Sequence, residues 1–255
     1  MAVKSRYIHF LLLTVLLGFI STMTQAQDKQ VVRLNEHFYP INENDSSNYF
    51  YKAILVNLTD STSIERIFNL KNQIVKITRY GYNMEGNFPE ESTETYDSKG
   101  KLSSKKIKNT DNGLFLTKYY LDGEYVGEAL FTEARNYEIR KLGSNAVMTT
   151  EQNEFEPSPL TDKVLWQKHL IKNLSYPTKA RSIKAEGTVK LALLVNAEGE
   201  LTTIEVANST EIHESLVKEA IRVAEVYKGR FLPGRDLNGN PVDSWLYVPL
   251  RFKLD

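Results

Sequence analysis

The sequence predicts an α+β protein: an N-terminal antiparallel β-hairpin meander, then a small C-terminal α+β domain built as helix, β-hairpin, helix and final strand. Three observations predict it. From Val31 to about Leu142, apolar and polar residues alternate between turns rich in Asn and Gly. After residue 161, two stretches at helical spacing flank a clean alternation from Thr188 to Val195. The chain then closes on a second alternation, Ser244 to Leu254, with Leu246, Val248, Leu250, Phe252 and Leu254 on one side.

Composition narrows the function. Of 255 residues, 41% are apolar and 25% charged, which is ordinary for a globular chain. Thirty-two Lys and Arg balance 32 Asp and Glu, and a neutral chain lacks the basic surface that displaces counterions from nucleic acid. There is no cysteine, which excludes disulfides, zinc–thiolate sites and iron–sulfur clusters.

Residues 1–26 read as a secretory signal. Lys4 and Arg6 supply the positive start, Phe10 to Ile20 the apolar run, and Thr24-Gln25-Ala26 the small residues before cleavage. That run is short for a bilayer span, which takes about 20 residues. The expectation is an exported, periplasmic protein; the alternative is an inner-membrane anchor through residues 10–23.

In residues 27–142, three segments share one plan, an aromatic, a turn and an apolar residue: Phe68 to Ile74, Tyr96 to Leu102 and Tyr120 to Val126. Their turns fall at Asn72, Gly100 and Gly123, where the chain needs a residue tolerant of positive φ. These segments resemble MORN-like hairpin repeats of the YwqK type. Residues 143–160 lack periodicity, carry Pro157 and Pro159, and are expected to link the two parts.

In residues 161–255, Thr161-Asp162 is placed to cap a helix running to about Asn173, with Trp166, Leu170 and Leu174 on one stripe. Pro177 suits the first position of a second helix over Thr178 to Ala185, which Gly187 stops. Val189, Leu191, Leu193 and Val195 point one way in the hairpin that turns at Asn196 to Gly199 and returns through Val206. Ile212, Leu216, Ala220, Val223 and Tyr227 then form a helical stripe, with Asn208, Ser209 or Thr210 as its cap. Residues 231–241 read as a loop. In the final strand Trp245 and Tyr247 face away from the apolar side, either packed on the helix before Tyr176 or lining a bound strand. Pro249 donates no hydrogen bond, which predicts an unpaired border on that strand.

These words stand in series: Tyr176-Pro177, Ala180-Arg181, Gly187-Thr188-Val189, Ile204-Glu205-Val206, Phe231-Leu232-Pro233, Asn238-Gly239 and Val248-Pro249-Leu250-Arg251-Phe252. In that order they resemble the C-terminal domain of TonB. The resemblance implies a periplasmic binding module of TonB-dependent transport. It would take an extended peptide, such as the TonB box of an outer-membrane receptor, by strand addition. It also implies a peptide site of Asn173, Ser175, Tyr176 and Pro177 together with Ser244, Trp245, Leu246, Tyr247, Val248 and Leu250. Asn173 and Ser175 stand where the family usually has glutamines. The proline-rich spacer of the family is missing, as is its Ser-x-x-x-His pair within an apolar helix, because Ser5 and His9 precede the apolar run. The binding part is therefore present without the force-transmitting part. The structural alternative uses the same edge for a homodimer or for a cell-wall-associated assembly.

No enzyme is expected. No nucleophile motif, P-loop or dinucleotide fingerprint occurs, so no catalytic residue and no cofactor are assigned. Beyond the leader, His37, His169 and His213 lie far apart without ligand spacing, so no metal site is predicted. His169 is expected on the side of its helix and His213 exposed in a first turn. Asp236 to Asn240 resembles part of a calcium loop but reads as a plain turn.

Overall fold

The structure, a computed structural model, describes residues 29–254 apart from Glu43, Ser47 and Leu237. The predicted leader lies outside the described residues. Ten strands follow one another in sequence order in a single antiparallel sheet. They are β1 (Lys29–Leu34), β2 (Tyr51–Thr59), β3 (Thr62–Asn69), β4 (Ile74–Asn83), β5 (Phe88–Tyr96), β6 (Leu102–Asn109), β7 (Phe115–Leu121), β8 (Glu124–Phe131), β9 (Tyr137–Lys141) and β10 (Val147–Thr150).

The meander has a local cause. At Asn69–Gln73 and Asp97–Lys101 an Asn or Asp side-chain oxygen accepts two backbone N–H bonds, from the residues two and four further on. The residue three further on, Asn72 or Gly100, takes φ of 59° or 78°. Such a turn closes by itself and fixes the register of its flanking strands. The Asn196–Glu200 turn in the C-terminal part repeats it, as does Asp236–Asn240, the segment read as a plain turn.

Residues 143–160 carry β10 and a segment that folds back on the sheet. Phe155 stacks on Tyr119 with ring centroids 4.6 Å apart and completes a cluster with Ala129 and Ile139. The chain continues through β11 (Leu160–Thr161), α1 (Lys163–Asn173), α2 (Thr178–Ser182), β12 (Gly187–Val195), β13 (Leu201–Val206), α3 (Glu214–Glu225), β14 (Phe231–Leu232), β15 (Gly234–Arg235), β16 (Pro241–Val242) and β17 (Ser244–Phe252).

The C-terminal core lies between α1, α3 and a three-stranded sheet ordered β13-β12-β17. Val189, Leu191, Leu193 and Val195 of β12 are fully buried in it, as the alternation predicts. Leu216, Ala220 and Val223 of α3 face them, and Leu250 and Phe252 of β17 close the side. Trp166 of α1 packs edge-on against Tyr227, centroids 4.8 Å apart. The predicted α+β class holds, with the meander first and the small mixed domain second.

Several boundaries differ from the sequence reading. α1 is capped by Asp162, as expected, but Pro177 is the N-cap of α2 and not its first residue, and α2 ends at Ser182. α3 begins at Glu214. Ile212 is extended, and His213 caps the helix by accepting from the Ser215 N–H, so it is half-buried and not exposed. Asn208 does not cap. It is buried, accepting from the Lys190 N–H and donating to the Thr188 carbonyl at the end of β12. The loop over 231–241 contains short pairings, β14 with β11 and β15 with β16.

The Phe155 cluster depends on Gly127, which adopts φ of +155°. A Cβ there would lie 2.4 Å from Phe155 Cζ and 2.5 Å from the Arg140 carbonyl oxygen. Gly127→Ala is therefore expected to cost about 1–3 kcal/mol through overpacking, read as a lowered midpoint in urea denaturation.

Candidate functional site: the edge of the last strand

β17 lies at the border of its sheet, antiparallel to β12 and with no second strand neighbour among the described residues. Hydrogen bonds on β12 fix which of its atoms face outward. The Lys190 carbonyl accepts from Ala207 N–H, and the Lys190 N–H donates to Asn208 Oδ1, so both groups point toward the β13 side. Lys190 stands opposite Pro249, so that pair exchanges no backbone bond. By the two-residue alternation of a strand, the backbone groups of Trp245, Tyr247, Pro249 and Arg251 face away from β12. Those of Ser244, Leu246, Val248, Leu250 and Phe252 are spent on it. The proline thus removes its N–H on the open border, where no ladder bond is lost.

This parity sorts the residues named from the sequence. Leu246, Val248 and Leu250 turn their side chains to the core and their backbone to β12. Leu246 also borders a recess shared with Glu151, Asn153, Glu156 and Lys163. Ser244 is buried, its Oγ donating to the Val242 carbonyl. Only Trp245 and Tyr247 of that set present outward backbone groups. Arg251, which the sequence reading did not select, presents the third outward N–H and is exposed. Its outward parity follows from Pro249 two residues earlier.

The other part of the set gathers at the Phe252 end. Tyr176 packs edge-on against Phe252, centroids 5.8 Å apart, and Arg181 lies over its ring. The Tyr176 hydroxyl donates to the Ala185 carbonyl. Pro177 starts α2 beside it. The Asn173 amide donates back to the His169 carbonyl, while the Asn173 carbonyl accepts from Arg222. His169, on the side of α1 as expected, bonds the Val223 carbonyl through Nε2 at 2.8 Å. Ser175 donates both N–H and Oγ–H to Glu219 Oε1, at 2.7 and 3.0 Å. Arg222 chelates the same carboxylate and, with the two Ser175 donors, holds it below the usual carboxylate range against the opposing effect of burial.

Trp245 and Tyr247 do not pack on α1. They face the opposite side of the sheet and meet the loop after β1, because the core side of β17 already belongs to Leu246, Val248, Leu250 and Phe252. The register places Glu205 of β13, Ala192 of β12 and Tyr247 of β17 in one row. Ala192 is small and fully buried, and the imidazole of His37 bridges the row above it. His37 Nε2 lies 3.0 Å from Glu205 Oε2, and Nδ1 lies 3.1 Å from the Tyr247 hydroxyl. Trp245 meets the ring edge-on at 4.7 Å. Asn35 donates to the Ala207 carbonyl, and Lys190 donates to the Tyr39 hydroxyl. Burial first, then Glu36, Tyr39 and Glu205, push the Tyr247 hydroxyl above its ordinary value, so it stays protonated.

A small α+β domain that leaves its last strand open on one border keeps a row of backbone groups free to pair with another strand. Residues 172–254, about a third of the chain, match the family model described as Gram-negative bacterial TonB protein C-terminal. That segment is a TonB C-terminal domain, as its ordered motifs suggest. Domains of this family interact with outer-membrane receptors and act in binding and energy transduction, not catalysis. No curated protein and no solved structure matches the chain.

Two measurements check this geometry. Glu219→Ala strands the Ser175 N–H and Arg222, and is expected to cost about 1.5–3 kcal/mol in urea denaturation. Because the folded carboxyl titrates below the unfolded one, its stabilisation is full above about pH 4.3 and disappears as pH falls through the depressed value. The stability gap between wild type and Glu219→Gln should therefore close on acidification. Ala192→Leu is expected to lift His37 off its row at a cost of about 1–3 kcal/mol, with new solvent exposure of Trp245 visible as a red-shifted emission.

Proposed function

We propose that this protein is an exported, periplasmic binding protein with the meander at residues 27–142 and the TonB-like domain at 161–255. That domain takes an extended peptide, such as the receptor segment known as the TonB box, as an added strand along β17. The observation that carries the reading is the parity of β17. Trp245, Tyr247 and Arg251 offer N–H groups, and these three with Pro249 offer carbonyls, on the border away from β12. An incoming strand pairs with such a row through its own backbone, which supplies affinity without demanding a particular sequence. Tyr176 and Arg181 flank the Phe252 end of the border, and Trp245 and Tyr247 the other, so side-chain selectivity is available at both ends.

Among the described residues no helix is long and apolar enough to cross a membrane. The family to which residues 172–254 belong supports an envelope location. With no proline-rich spacer in the sequence, the reading is an adaptor that binds receptor peptides rather than a transducer of force.

Proline substitutions test the border residue by residue. Arg251→Pro and Tyr247→Pro each delete an outward N–H. Each should weaken capture of a synthetic receptor N-terminal peptide, by up to about tenfold for one hydrogen bond, with the circular dichroism spectrum retained. Val248→Pro deletes a bond to β12 instead and should unfold the domain. Peptide affinity untouched by Arg251→Pro and Tyr247→Pro would reject strand addition at this border. Self-association that grows with concentration and ignores peptide would assign the border to a dimer.

A further inference from the structure

The junction between the loop after β1 and the sheet β13-β12-β17 holds a group that peptide binding does not use. Glu36, His37 and Glu205 bring one imidazole nitrogen and two carboxylate oxygens within 4.8 Å of one another. The imidazole is buried, its side chain 2% exposed, and fixed on three sides by Ala192 below it, Trp245 and Tyr247.

We propose that these three residues bind a divalent transition-metal ion, zinc by preference, which staples the meander to the TonB-like sheet. This goes beyond peptide binding and does not depend on it. The donor set is the first argument. One imidazole and two carboxylates suit zinc, whereas magnesium and calcium favour oxygen-only shells. Two carboxylates also cancel the charge of a divalent ion.

Geometry is the second argument. Donors bound about 2.1 Å from a tetrahedral zinc stand roughly 3.4 Å apart. Nε2 and Glu205 Oε2 are 3.0 Å apart and all three donors lie within 4.8 Å of one another, so small carboxylate shifts bring them to that spacing. Glu36 makes no hydrogen bond among the described residues that would hold it back from joining them.

The outer shell is the third. A metal-bound histidine usually donates its other ring N–H to a fixed acceptor, and the Tyr247 hydroxyl already sits 3.1 Å from Nδ1. Because a carboxylate only accepts, the neutral imidazole facing Glu205 carries its proton on Nε2 and leaves Nδ1 to accept from Tyr247. Binding moves the proton to Nδ1, which then donates to Tyr247, and Nε2 turns its lone pair on the ion. Water fills the remaining coordination position.

The test uses the full chain, stripped with chelator and titrated with zinc chloride by calorimetry, and with cobalt(II) as the visible-absorbing probe. The expected result is one ion per chain, cobalt bands of four-coordinate intensity and a raised melting temperature. Glu36→Gln is the discriminating variant. It touches no hydrogen bond of the metal-free protein, so its melting temperature without metal should match wild type while zinc affinity falls at least about tenfold. Tyr247→Phe should weaken zinc by about 10- to 100-fold through the lost outer shell. His37→Ala should abolish the cobalt bands. No saturable zinc binding, or binding unchanged in both Glu36→Gln and His37→Ala, would overturn the proposal and leave His37–Glu205 a hydrogen-bonded pair.

Discussion

The C-terminal domain rests on one geometric constraint: a strand points its backbone groups alternately to its two sides, and β12 can satisfy only one side of β17. Everything proposed for this border follows from which residues fall on which side. The bonds from Lys190 to the β13 side decide that, through its pair with Pro249. Had the register slipped by one residue, Pro249 would face β12, delete a ladder bond and turn Leu250 and Phe252 out of the core. The proline is thus a register pin as well as a mark of the free border. Open borders invite indiscriminate pairing, and proline and charge are common ways of limiting it. Here Pro249 and Arg251 limit the row without closing it.

The opposite face of the same sheet is not free either. The row Glu205, Ala192, Tyr247 accepts His37, so the loop after β1 touches all three strands: Glu205 on β13, Lys190 on β12 and Tyr247 on β17. Helices cover one face and the loop meets the other, which is why Ala192, on the loop side of the central strand, is as fully buried as Leu191 and Leu193 on the helix side. The meander is therefore a partner of the TonB-like sheet and not a passenger. Phe155 anchors the connecting segment to the meander, and β11 pairs it with β14 on the far side. Tyr247 belongs to both the border and the His37 row, so a change at either can be felt at the other.

Much of this architecture was legible in the sequence because it is local. The Val189-Leu191-Leu193-Val195 alternation and the Leu216-Ala220-Val223 stripe name the core directly. Turns at Asn72, Gly100 and Gly123 appear where positive φ is needed, and all three adopt it. The open border was read from Pro249 alone. What sequence did not give is long-range or competes with a commoner rule. His37 and Glu205 are 168 positions apart, and no spacing pattern links them. Histidine is an unusual cap, so the sequence points to Asn208, Ser209 or Thr210 at the start of α3, while Asn208 is spent on β12. Of the two settings the sequence offers Trp245 and Tyr247, packing on α1 gives way to the loop after β1, which comes from the other end of the chain. Arg251 carries no motif that marks it, although Pro249 two residues earlier fixes its parity.

Backbone amide hydrogen exchange, resolved by residue in the free chain and with a saturating receptor N-terminal peptide, tests the account most directly. Leu246, Val248 and Leu250 should be protected in both states. Trp245, Tyr247 and Arg251 should exchange rapidly in the free chain and slow together when the peptide is bound. If those three amides are already protected in the free monomer, or stay fast with peptide saturating, β17 has no border for a guest strand.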